Sequence, residues 1–63
     1  MDLEAAKVFH ERGNLADAEI LYNQLLNKNF DDTSVLFYYG TLLLQQGKSG
    51  LASNILRMAL TQT

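Results

Sequence analysis

The segment Gly47-Lys48-Ser49-Gly50 ends like a phosphate-binding loop, with a glycine, a lysine and a hydroxyl side chain in succession. In such a loop the backbone N–H groups cradle phosphate oxygens, the lysine reaches the phosphates, and the hydroxyl holds a magnesium ion. That chemistry also needs a glycine five residues before Gly47, and Leu42 stands there. It needs a preceding strand as well, whereas residues 41–46 continue a helical pattern. The four residues are therefore expected to form a turn between helices. His10 is the only histidine, so it has no sequence neighbour that would make it a base or a metal ligand; it is expected to lie exposed or half-buried near a helix end. Ser34, Ser49 and Ser53 have no activating arrangement around them. Asp31 and Asp32 are adjacent, so their side chains diverge, and helix capping accounts for them better than metal binding. No catalytic residue, cofactor-binding residue or metal ligand is assigned, and the chain is expected not to be an enzyme.

The composition narrows the partners. Seven acidic and five basic residues give a net charge of −2, and Lys7, Arg12, Lys28, Lys48 and Arg57 are scattered. Neither a nucleic acid nor an anionic membrane is expected as the main partner. A DNA-binding helix-turn-helix would need a basic recognition helix, and the last helical segment holds only Arg57. Met1 is followed by Asp2 and Glu4, unlike a signal peptide, and no apolar run is long enough to span a bilayer. Cysteine is absent, which removes disulfides and thiolate metal sites. A cytoplasmic, reducing setting fits these features. With 63 residues, the chain forms at most one small domain, and such a domain buries only about 60% of its unfolded surface.

What could position side chains in so short a chain is a repeated spacing. Gly13, Ala18 and Tyr22 recur as Gly47, Ala52 and Leu56, each 34 residues later. Apolar residues follow a three-and-four rhythm in four runs, with Leu15, Ala18, Leu21, Tyr22, Leu25 and Leu26 the clearest. Proline is absent. Gly13 and Gly47 are suited to the left-handed residue that ends a helix. Asn14 and Ser49 are the expected N-caps of the second and fourth helices, and Asp31 and Asp32, followed by Thr33 and Ser34, supply several candidates for the third. Helices are expected near 2–12, 15–28, 33–46 and 50–61, folded back on one another by the short turns between them.

This pattern resembles the tetratricopeptide repeat, a 34-residue helix–turn–helix with the signature W-x2-L-G-x2-Y, then A-x3-F, then a late proline. The second unit matches through Leu36, Tyr39, Gly40 and Leu43, then Ala52, Leu56 and Ala59. The first is looser, with Asp2, Ala5, Ala6 and Phe9, then Ala18 and Tyr22. Asp2 replaces the usual large apolar residue, and Phe30 stands at the usual proline. Between the units only Gly13/Gly47, Ala18/Ala52 and Leu26/Leu60 are identical. The resemblance implies an all-α fold of two antiparallel helix–turn–helix units, about 1–32 and 33–63, forming one domain. Small residues would let paired helices approach, and Tyr22 and Leu56 would fill the space beside them.

The resemblance also implies a function: a non-enzymatic protein–protein interaction or scaffolding module, with another protein or peptide as its partner. The alternative is an N-terminal regulatory or positioning segment of a larger enzyme. If Leu36, Tyr39 and Leu43 face the core, then Phe37, Tyr38, Thr41 and Leu44 line another face. By analogy with the family that face is a partner-binding groove, shared with Lys7, His10 and Gln45. The competing expectation is that Phe37 and Leu44 pack only against the first unit. The carboxylate clamp of some family members is not expected, because only Lys7 resembles it. Ile55, Met58, Ala59 and Leu60 exceed what one inward stripe can hide. They are expected to be covered by further repeats of a longer array or, in a homodimer, by a second copy.

Overall fold

A computed structural model describes residues 3–29 and 32–61. Four helices account for most of this span: α1 (Leu3–Glu11), α2 (Leu15–Lys28), α3 (Thr33–Gln45) and α4 (Ser49–Thr61). No strand occurs among the described residues. The expectations for Asp2, Phe30 and Asp31 lie outside the described residues.

Two glycines set the architecture. Gly13 and Gly47 have φ angles of +83° and +79°, and are the only positive-φ residues among those described. A side chain there would strain the backbone, although nothing stands within 4 Å of where a Cβ would be. Around Gly13, its own N–H donates to His10 O (3.1 Å) and Asn14 N–H donates to Phe9 O (2.9 Å). Around Gly47, its N–H donates to Leu44 O (3.0 Å) and Lys48 N–H donates to Leu43 O (2.9 Å). Each is a Schellman turn, which satisfies carbonyls left open at a helix end. The first bond of the next helix also repeats: Ala18 N–H donates to Asn14 O (3.0 Å), and Ala52 N–H donates to Lys48 O (2.9 Å). The 34-residue offset in the sequence is thus an offset in backbone hydrogen bonding.

This equivalence corrects two cap assignments. Lys48, not Ser49, is the residue that opens α4, and Ser49 is its first helical residue. Asn14 does open α2, but its side chain makes no capping hydrogen bond. The turn itself fixes where the helix restarts, whatever side chain occupies that place. Of the several candidates before α3, Asp32 is the cap: its Oδ1 accepts from Ser34 N–H (3.0 Å) and Val35 N–H (3.3 Å). No glycine turn precedes α3 to do that work, and such a cap contributes about 1 kcal/mol.

Packing follows the chain. Helix α1 lies against α2, α3 against α4, and α3 also packs on both α2 and α1. Helix α4 rests on α3 alone among the described helices. One buried cluster joins Ala6, Ala18, Leu21 and Tyr22 of the first hairpin to Val35 and Leu42 of α3. On the other side of α3, Leu36, Gly40 and Leu43 share a stripe and are buried, as are Ala52 and Ala59 of α4. Gly40 lies in close contact with α4. A Cβ on Gly40 would stand 2.5 Å from Leu56 Cδ2 and 2.6 Å from its Cγ, so any larger residue would force Leu56 to shift.

Candidate functional site

The residues assigned to a groove come from α1 and α3, and the fold brings several together. Lys7 Nζ lies 5.1 Å from the centre of the Tyr38 ring, a cation–π arrangement, and 3.5 Å from Glu4 Oε2. Its ammonium is held more tightly protonated than usual, through Tyr38 first and then Glu4. One turn further along α1, His10 uses both ring nitrogens. Nδ1 lies 2.9 Å from the Tyr22 hydroxyl and Nε2 lies 2.6 Å from Gln45 Oε1. In the neutral Nε2–H tautomer the ring donates to Gln45 and accepts from Tyr22. His10 therefore links α1 to α2 and α3 at once. With both nitrogens engaged, neither is placed to take a proton from a bound molecule.

Tyr22 lies beneath this link and is fully buried. Its ring meets His10 edge-on, with centroids 5.9 Å apart, and Tyr39 at 6.2 Å. Burial chiefly, then the neighbouring Tyr38 and Glu11, pushes its hydroxyl pKa up to about 12. Burial also raises that of Tyr39, with Glu19 adding to the effect.

Phe37 and Leu44 behave differently from Tyr38. Tyr38 is half-buried and packed against the core, while Phe37 and Leu44 are 56% and 51% exposed. Neither is sequestered by the first unit. Phe37 meets the Tyr38 ring edge-on at 6.0 Å. Between Phe37 and Leu44, the Thr41 hydroxyl donates to Phe37 O (3.0 Å), which turns it back onto its own helix. The groove set thus divides. Lys7, His10, Tyr38 and Gln45 form a connected α1–α3 surface, and Phe37, Thr41 and Leu44 lie beside it along α3.

The terminal-helix set divides as well. Ala59 is only 4% exposed and belongs to the interior, while Met58 and Leu60 are 40% and 74% exposed and Ile55 is half-buried. Leu51, not singled out in the sequence, is 57% exposed.

Sequence reasoning also missed Glu19. Its carboxylate accepts from the Tyr39 hydroxyl (3.4 Å) and from Gln46 Nε2 (3.3 Å), and lies 4.0 Å from Lys48 Nζ. These partners are 20 to 29 residues away, and no local spacing announces them. A hollow of about 240 Å³ bordered by Gln24, Leu25, Asn27 and Lys28 lies at the C-terminal end of α2 and gathers no reactive set. Among the described residues, no three His, Asp or Glu side chains stand close enough to hold a metal ion. No described helix is long and apolar enough to cross a membrane. No family model, curated protein or solved structure matches the chain.

Proposed function

We propose that the chain is a tetratricopeptide-type interaction module that holds another protein against the surface shared by α1 and α3. The observation that supports this most is the bond-for-bond recurrence of the Gly13 turn at Gly47. In this reading α1 and α3 are equivalent members of successive units, and the two are in contact. Lys7, His10, Tyr38 and Gln45 then offer a cation, an aromatic face and an amide on one surface, a set suited to a peptide with mixed polar and apolar side chains. In this reading the chain is a scaffold rather than a catalyst, takes no cofactor and works in the cytoplasm.

The test is affinity capture with the isolated chain, followed by titration of whatever is captured. Lys7→Ala combined with Tyr38→Ala is expected to weaken binding at least about tenfold while helix content by circular dichroism is kept. Equal binding by the folded double variant would remove the α1–α3 surface from the reading.

A further inference from the structure

The surface shared by α1 and α3 has a proton arrangement that is set from beneath it. Tyr22 is fully buried, and His10 Nδ1, 2.9 Å away, is the one hydrogen-bond partner of its hydroxyl among the described residues. A hydroxyl hydrogen in such surroundings needs an acceptor, because a bond left unmade there costs the full desolvation of the group. Nδ1 therefore accepts, which places the ring proton on Nε2. Nε2 in turn lies 2.6 Å from Gln45 Oε1, so it donates, and the amide keeps its oxygen toward the ring. The opposite tautomer would reverse every step. Nδ1–H would donate to Tyr22, the Tyr22 hydrogen would be buried without an acceptor, and Gln45 would have to turn its N–H groups to the ring and its oxygen away.

The outcome reaches the surface at Gln45. This residue is exposed, and its Nε2 makes no hydrogen bond among the described residues. Two N–H donors are thus left for a bound molecule. The charged groups around the link decide which acceptor suits them. On α1, Lys7 is already held by Glu4 at 3.5 Å and by the Tyr38 ring of α3. Exposed Glu11 follows His10 on the same helix. An incoming carboxylate would meet a cation already paired and a like charge, whereas a neutral carbonyl oxygen meets neither obstacle.

We propose that Tyr22 and His10 are positioning residues for this surface: through them the Gln45 amide offers its N–H groups outward, and the bound partner supplies a peptide carbonyl at that point of α3. This recognition rests on the α1–α3 surface being the one that binds. The tautomer is a property of the free chain, so the two can fail separately.

The His10 ring is read by long-range proton–nitrogen NMR correlation in the free chain at about pH 8, above the range in which imidazoles usually titrate. The Nε2–H tautomer is expected to be the only one populated. In Tyr22→Phe, which removes the hydroxyl and keeps the ring, an Nδ1–H population is expected to appear. Should that variant lose helix content by circular dichroism, the wild-type spectrum alone decides. Against a captured partner, Gln45→Glu keeps an oxygen toward Nε2–H and removes the outward donors, and is expected to weaken binding about tenfold. A resolved Nδ1–H signal in the wild type, an unchanged spectrum in folded Tyr22→Phe, or full affinity in Gln45→Glu would overturn the proposal. If the double variant Lys7→Ala, Tyr38→Ala then binds weakly, only the role of Gln45 falls; if it too binds fully, the whole surface falls with it. A chain that captures nothing removes the recognition step and leaves the positioning role to the spectrum.

Discussion

Tyr22 and Leu56 hold the same place in the two hairpins and have different surroundings. Tyr22 is fully buried, touched by His10 from its own hairpin and by Tyr39 from the next. Leu56 fits closely over Gly40 of its own hairpin and is still half-exposed, because no third helix pair among the described residues lies over it. Close approach within a hairpin therefore does not complete the burial of its large side chain. For Tyr22 the remainder comes from α3 of the second hairpin. The second hairpin uses Gly40 where the first uses Ala6, and Leu56 occupies the space a Cβ would take there.

The largest expected effect falls on the fully buried side chain of the pair. Tyr22→Ala is expected to cost about 3–5 kcal/mol, and Leu56→Ala about 1–2 kcal/mol because less surface returns to water. A domain this small has only a few kcal/mol in total, so the first variant is expected to be largely unfolded at room temperature. Urea titrations followed by circular dichroism measure both, and equal losses would mean that the hairpins are not differently covered.

A smaller effect sharpens the same contrast by pH. The folded-state pKa of Tyr22 is raised above its ordinary 10.0 to about 12, so the folded chain keeps a proton that the unfolded chain gives up. The stability from this group is fully present below pH 10 and is lost as pH rises through 12. The loss is on the order of 2–3 kcal/mol. Leu56 has no group to titrate. The urea midpoint is expected to fall above pH 10, and to fall less steeply in Tyr22→Phe, with Tyr39 and Lys7, both raised, contributing to what remains. A midpoint constant to pH 12 would remove the buried hydroxyl from the account.

The smallest effect tests where the hairpins agree. Gly13→Ala and Gly47→Ala each place a Cβ in free space but at positive φ. Both are expected to cost about 1–2 kcal/mol, the left-handed backbone penalty alone. Unequal melting shifts would show that the two turns are not energetic equivalents.

Much of the fold was legible because its determinants are local. A glycine after an apolar run marks a turn, and both glycines took positive φ. The helical rhythm located all four helices to within a residue of their described ends. Ser49 misled because capping preference was read from the side chain, whereas the preceding turn had already chosen Lys48. The candidate site was less legible. That Tyr38 faces inward and Phe37 outward depends on where α1 lies, which single-helix periodicity leaves open. His10 looked isolated because its partners Tyr22 and Gln45 are 12 and 35 residues away. The importance of Glu19 was invisible for the same reason.

That carboxylate gives the molecule a directional dependence. Glu19 sits in the first hairpin, yet it grips Tyr39 near the middle of α3 and Gln46 and Lys48 in the bend before α4. The angle at which the final rod leaves the bundle is thus anchored from the opposite half of the chain. Loosening the opening hairpin therefore also releases contacts that hold the bend at Gly47.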